Sequence, residues 1–175
     1  MSNLADLVRN IPNWPKPGIQ FKDITTLLKD PVGLRQAVEE LSRPFETAGV
    51  DVVLGTEARG FLFAPAIALH LGAGCILARK PGKLPWKTVS QSYQLEYGTD
   101  RLELHEDAIQ PGQRVLLVDD LLATGGTILA ATELVHQLGG MVAGYAFLIE
   151  LSFLLGRAKL GSAPVHSLIQ YASEE

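Results

Sequence analysis

The chain has 175 residues, 47% hydrophobic and 19% charged, enough to fill one sizeable core and too apolar for a disordered polymer. A net charge of -4 supplies no overall field for nucleic acid or an anionic membrane, so any phosphate chemistry must come from local cations or backbone N–H groups. The lone cysteine, Cys75, excludes an intrachain disulfide and a cysteine metal cluster. It reads as a small buried hydrophobe, and it suits a reducing cytoplasm.

The N-terminus lacks the charged start and apolar core of an export signal. Leu4, Leu7, Val8 and Ile11 have helical spacing, after which Pro12, Pro15, Pro17 and Gly18 force an extended, turn-rich segment. Asp30 followed by Pro31 predicts a helix start, a cap and then a first-turn proline, running through Leu34, Val38 and Leu41 until Pro44 distorts or ends it. Residues 50–55 read as a short strand, residues 61–71 as a buried helix and residues 75–78 as a second, buried strand. Residues 60–78 approach the roughly 20 residues that span a bilayer, but Pro65, His70, Gly72 and Gly74 argue against a membrane span.

Further on, residues 93–97 and 101–105 alternate in polarity and are joined by Gly98, Thr99 and Asp100, which predicts an antiparallel hairpin or flap. Residues 115–118 read as a buried strand, 127–138 as a helix, and 141–151 and 165–171 as the last strands. Strands alternating with helices predict a single α/β domain with a doubly wound, mainly parallel sheet, whose ligands sit beyond the strand carboxyl ends. Residues 1–30 form an N-terminal arm, and residues 79–106 form a basic loop with a flexible β-hairpin flap.

The chemistry concentrates in Val115-Leu-Leu-Val-Asp-Asp-Leu-Leu-Ala-Thr-Gly-Gly-Thr127. Asp119 and Asp120 follow a buried strand, where adjacent carboxylates repel unless something polar or cationic uses them, and a sugar diol is a good candidate. Ala123, Thr124, Gly125, Gly126 and Thr127 are small, partly hydroxylated and placed at a helix N-terminus, where N–H groups converge on a phosphate. The bland alternative is a strand-to-helix turn with a threonine cap. No Gly-Lys-Ser/Thr ends the loop and no Gly-x-Gly-x-x-Gly precedes it, which disfavours ATP hydrolysis and hydride transfer. Thr56-Glu-Ala-Arg-Gly60 also links a strand to a helix and brings Arg59 to the same end of the sheet, where it can clamp phosphate oxygens. Arg79, Lys80, Lys83 and Lys87 cluster beyond the next strand, either neutralising an anion or forming an ordinary solvated loop.

The thirteen-residue stretch closely resembles the ribose-phosphate donor signature of the type I phosphoribosyltransferases. The resemblance implies that Asp119 and Asp120 engage the ribose hydroxyls of 5-phosphoribosyl-1-diphosphate and that residues 123–127 hold its 5-phosphate. It further implies that the loop with Glu57, Ala58 and Arg59 binds diphosphate, with a cis Glu57-Ala58 peptide, aided by Arg79, Lys80 and Lys83. Arg79-Lys-Pro-Gly-Lys-Leu-Pro85 together with Leu95-Glu-Tyr-Gly98 resembles the mobile loop of the adenine phosphoribosyltransferases, which makes Glu96 the candidate acid/base near purine N7 and Tyr97 a flap residue that helps close the site. Residues 86–92 depart from the usual loop.

Pro17-Gly-Ile-Gln-Phe-Lys-Asp-Ile-Thr25 is a turn feeding a strand on pattern alone, and it resembles the N-terminal hood of the same group. There Phe21 would stack on adenine beside Gln20, with Leu151 on the opposite face. The resemblance implies attack of adenine N9 on C1 of the donor with loss of diphosphate, giving AMP. It also implies Mg2+ held mainly by substrate and water rather than by a protein cage, and a homodimer. A hypoxanthine or guanine enzyme would carry a different base segment. A non-catalytic, donor-sensing regulator on this fold would need a nucleic-acid-binding segment that is not legible here. His70, His105, His136 and His166 are scattered without ligand-like spacing.

Overall fold

A computed structural model describes residues 3–95 and 98–173. Glu96 and Tyr97 lie outside the described residues. Strands β1 (Arg9–Pro12) and β2 (Gln20–Asp23) pair antiparallel as a small ribbon. Helices α1 (Thr25–Leu28) and α2 (Pro31–Ser42) follow. The Asp30 side chain accepts from the N–H groups of Val32 and Gly33 at 3.0 and 2.7 Å, with Pro31 in the first turn, where its missing N–H costs nothing. A 3-10 turn, Arg43–Phe45, replaces the helix at Pro44.

Next come β3 (Val52–Thr56), α3 (Ala64–Leu71), β4 (Gly74–Ala78), and the hairpin of β5 (Thr88–Leu95) and β6 (Gly98–His105). The chain closes with β7 (Arg114–Leu122), α4 (Gly126–Gln137), β8 (Met141–Leu151) and β9 (Val165–Tyr171). Five strands form one parallel sheet in the order β4-β3-β7-β8-β9. Side chains alternate across it: Val53, Leu116, Val118, Ala146 and Leu148 face a core shared with α2 and α3, whereas Leu54, Val115, Leu117, Tyr145 and Phe147 face α4 and the hairpin. The sheet is thus covered on both faces, as parallel sheets require. Among the described residues, no helix is long and apolar enough to cross a membrane.

The structure revises five sequence expectations. The helical spacing from Leu4 to Ile11 yields only a 3-10 turn, Leu4–Leu7, because Arg9–Pro12 is drawn into pairing with β2. The helix expected over 61–71 is interrupted: a 3-10 turn, Arg59–Leu62, precedes α3. β4 is an edge strand rather than a buried one, and Cys75 is exposed on it. Gly98, Thr99 and Asp100 are strand residues paired with Leu95, Gln94 and Tyr93 rather than a turn. β7 extends to Leu122, so Asp119 and Asp120 lie within a strand. In the hairpin, Tyr93, Leu102 and Leu104 are buried in the core that α4 also lines.

Candidate active site

β4, β3 and β7 are adjacent and parallel, so their carboxyl ends deliver residues 57–60, 79–87 and 119–127 to one edge of the sheet. Asp119 pairs in register with Phe147, and the Asp119 carboxylate accepts the N–H of Asp120 at 2.9 Å. Asp120 is 3% exposed, and its Oδ2 lies 2.9 Å from Nε of Arg59. The Arg59 loop can reach this far in because residue 60 is glycine: a Cβ there would sit 2.7 Å from the Val118 carbonyl, 2.9 Å from Thr56 Oγ1 and 3.2 Å from Asp119 Oδ1.

Burial raises the pKa of Asp119, and the neighbouring charge of Asp120 raises it further, against weaker hydrogen bonding from Thr56 and the Asp120 N–H. Asp119 is half-buried and lines a small cavity with residues 121–128. Burial also raises the pKa of Asp120, and the Arg59 charge opposes this. The buried Thr56 hydroxyl has no partner at good hydrogen-bonding geometry among the described residues; it lies close enough to Asp119 to act on it but is not saturated by it. One member of the carboxylate pair is therefore neutralised by arginine, while the other is poised to take a proton or a ligand's hydroxyl.

Immediately after β7, residues 123–127 turn into α4. Gly125 adopts a left-handed φ of 82° and caps α4 without a side-chain hydrogen bond, an arrangement whose first-turn N–H groups can hold an anion. Asp119 and residues 121–128 line a small cavity of about 80 Å3 there. The flap strand lies against it, since a Cβ on Gly126 would be 3.2 Å from the Gln94 carbonyl.

On the other side of Asp120, the Glu57-Ala58 peptide is cis. The Glu57 carboxylate accepts from Arg79 at 3.2 and 3.4 Å and from the Lys80 N–H at 2.8 Å. Burial works against its charge, but the Lys80 N–H and Arg79 together hold its pKa below the usual glutamate value. Glu57 thus orders the basic loop. Arg79 also reaches the Lys83 carbonyl at 3.4 Å, while the Lys83 side chain is exposed. Lys87 stands apart, 3.8 Å from Glu106.

Sequence reasoning missed two residues that engage Lys80. Its Nζ donates to Tyr93 Oη at 2.7 Å and pairs with the Asp100 carboxylate, which Tyr93 also contacts at 3.1 Å. Burial lowers the Lys80 pKa, but these two partners outweigh it and raise it overall. The cluster ties the basic loop to the hairpin. The one sequence signal was the Tyr93 to Asp100 spacing, which is a cross-strand pair only if Asp100 belongs to the ladder.

On the ribbon, Phe21 packs edge-on against Trp14 with ring centroids 4.4 Å apart, and the Arg59 guanidinium lies 5.2 Å from its ring. Arg59 therefore joins the aromatic face to Asp120. Gln20 accepts from Asn10 at 3.1 Å. The ribbon is pinned by Arg9, whose guanidinium lies 2.6 Å from Asp23. The Asp23 pKa falls to about 2 through the Thr25 N–H first and then Arg9. Leu151, the last residue of β8, is half-buried at the margin of the core on the α2 and α3 side. The structure thus brings Arg59, Phe21 and the aspartate pair together, and joins Glu57 to Arg79 and Lys80. Gln20 lies on β2 and Leu151 at the end of β8, and among the described residues neither is bonded to the aspartate pair.

Residues 26–158 match the phosphoribosyl transferase domain family. The chain belongs to that family. Its relatives are adenine phosphoribosyltransferases: the protein of Symbiobacterium thermophilum is 60% identical over 164 residues, covering 94% of this chain and 96% of that one. That of Koribacter versatilis is 58% identical over 169 residues, covering 97% and 93%. Among solved structures, the adenine phosphoribosyltransferase of Thermoanaerobacter pseudethanolicus superposes with a TM-score of 0.93 at 51% identity, covering 96% of this chain and 98% of its own. That of Saccharomyces cerevisiae, solved with adenine and an imino-altritol bisphosphate, gives 0.89 at 41% identity, covering 94% and 96%.

The aspartate pair has a consequence for stability. Folding raises the Asp119 pKa above 3.8, so the folded state keeps a proton that the unfolded chain has already lost. The resulting stabilisation is fully present below the unfolded value and drains away as pH rises through the folded value. Thermal melts at about pH 5.5 and about pH 7.5 should show wild type losing stability over this interval, and Asp119→Asn losing clearly less of it. An identical loss in both proteins would contradict the burial and charge repulsion described for the pair.

Proposed function

We propose that the chain transfers the 5-phosphoribosyl group of 5-phosphoribosyl-1-diphosphate to N9 of adenine, releasing diphosphate and forming AMP. The observation that carries the reading is the convergence of Asp119, Asp120, residues 123–127 and Arg59 at the carboxyl ends of two adjacent strands, with Phe21 against the same arginine. The ribose hydroxyls donate to the two carboxylates. The 5-phosphate sits on the uncapped N-terminus of α4, within hydrogen-bonding reach of Thr124 and Thr127. The diphosphate lies toward the Glu57-Ala58 peptide, Arg59, Arg79, Lys80 and Lys83. Adenine stacks on Phe21 beside Gln20, with Leu151 as the apolar wall opposite.

As the bond from C1 to diphosphate breaks and N9 bonds to C1 with inversion, positive charge develops on the ribose ring, and the negative charge carried by the aspartate pair stabilises it. Arg59 and the basic loop stabilise the charge growing on the leaving group. Glu96 holds or moves the proton at purine N7, and Tyr97 closes the flap over the reacting atoms; this pair is assigned by resemblance. The donor set of Asp119 and Asp120 is hard but sparse, since Asp120 is already paired with Arg59, and this suits Mg2+ that keeps substrate oxygens and water as most of its ligands. When bound, Mg2+ would neutralise charge on the diphosphate. A reducing cytoplasm suits the free thiol of Cys75.

A homodimer is also proposed. Leu69 is 83% exposed on α3, Leu62 is exposed in the 3-10 turn before it, and Leu77 is exposed on the edge strand β4. These exposed apolar side chains support pairing of two copies.

Initial rates of nucleotide formation from the donor and Mg2+ with adenine, hypoxanthine, guanine, xanthine and orotate test the reading: AMP should form rapidly from adenine alone, and absence of AMP would overturn it. Glu96→Ala should lower turnover by about 100-fold or more with little change in donor affinity, and unchanged turnover would remove Glu96 from the chemistry. Sedimentation of Leu69→Glu should show a shift toward monomer, whereas a wild-type protein that already sediments as a monomer would contradict the dimer.

A further inference from the structure

We propose that the short segment after β8, residues 155–159, is a brace that sets the shape of the 5-phosphate loop, with Gly156, Arg157 and Lys159 acting as positioning residues for donor binding. The proposal rests on the assignment of residues 123–127 to the 5-phosphate.

On the side assigned to the phosphate, Thr124 is exposed and Gly125 caps α4 without a side-chain hydrogen bond. The loop's support comes from behind. Lys159 Nζ donates to the Thr124 carbonyl at 2.7 Å, which fixes the peptide plane whose next N–H belongs to Gly125. Gly156 interlocks with the same turn: a Cβ on Gly156 would lie 2.2 Å from the Ala123 carbonyl and 3.0 Å from the Gly125 nitrogen, and a Cβ on Gly125 would lie 3.0 Å from the Gly156 carbonyl. Two backbones approach so closely that each needs a glycine at the contact. Leu155, with a left-handed φ of 56°, swings Gly156 into this position.

The segment is held in turn by Arg157. Its guanidinium forks onto the Glu150 carboxylate at 2.9 and 2.5 Å, and it reaches Ser167 Oγ at 2.9 Å and the Val165 carbonyl at 2.8 Å. Glu150 is 4% exposed, is paired in register with Leu122 at the end of β7 and with Gln170 on β9, and accepts from Ser167 as well. The hydrogen bond from Arg157 holds its carboxyl below the usual glutamate value against the cost of burial. A buried carboxylate at the sheet's end thus fixes an arginine, the arginine fixes a glycine, and the glycine fixes the phosphate loop. Glu150 directly precedes Leu151, so the same hub sits between the apolar wall of the base site and the phosphate site. A fork of this kind is specific to arginine; lysine supplies the charge without the two parallel bonds.

The full-length chain should be titrated with ribose 5-phosphate, which carries the phosphate and sugar without the leaving group, and its KM values for donor and adenine and its melting temperature should be measured. The variants are Gly156→Ala, Arg157→Lys, Lys159→Met and, as a control within the loop itself, Thr127→Val. Lys159 is exposed, so Lys159→Met should leave the melting temperature near wild type while weakening ribose 5-phosphate binding by about threefold or more and raising donor KM more than adenine KM. Gly156→Ala should weaken it by about tenfold or more, and Arg157→Lys should fall between. If Gly156→Ala does not fold, Lys159→Met decides the matter. Weakening by Thr127→Val with wild-type affinity in Lys159→Met and in a folded Gly156→Ala overturns the brace alone. Wild-type affinity in Thr127→Val overturns the phosphate assignment and the brace with it.

Discussion

Two carboxylates side by side near the end of a parallel strand are the constraint on which the site depends. Asp119 and Asp120 repel, and burial makes the repulsion worse. A protein tolerates this only where a cation, a proton or a ligand compensates. Arg59 compensates Asp120 directly, which commits residues 57–60 to a close approach over β7 and requires glycine at residue 60. The loop that delivers Arg59 also carries Glu57, whose carboxylate organises Arg79 and the Lys80 backbone. The placement of the cations therefore follows from the placement of the aspartates.

The sheet supplies the rigidity that this arrangement needs. β3, β7 and β8 are buried on both faces, so the ends from which the loops spring are held in register by ladder hydrogen bonds and by side chains on both sides. The proposed anion site at α4 draws on this as well, since the loop before the uncapped helix start follows directly from β7 and lies against residues 156–159. Preorganised N–H groups bind a phosphate without first paying the entropy of ordering a loop.

Much of this was legible in the sequence where local rules and tertiary demands agree. Residues 141–151, apolar apart from Glu150, form the strand expected of them, and Asp30 with Pro31 marks a helix start that the structure reproduces. The donor signature named the reaction class because Asp119, Asp120 and residues 123–127 are contiguous. Agreement failed where distant pairing overrode local pattern. Arg9–Pro12 left its helical spacing to pair with β2, Asp100 left a plausible turn for the β5 ladder, and Cys75 followed an edge strand to the surface. The pairings of Arg59 with Asp120, of Lys80 with Asp100 and of Lys159 with the Thr124 carbonyl join residues far apart in the chain, and no spacing rule encodes them.

Direct titration of the donor with Mg2+ into wild type and into Asp119→Asn/Asp120→Asn tests the central claim most closely, because it reads the carboxylate pair without requiring turnover. The double variant keeps the shape of both side chains, removes their charge and replaces one acceptor oxygen of each with an amide donor. The account predicts saturable binding by wild type and a loss of at least about 100-fold in the variant, the scale expected when charge-assisted hydrogen bonds to two ribose hydroxyls are weakened together. Equal donor affinity in a correctly folded variant would contradict it.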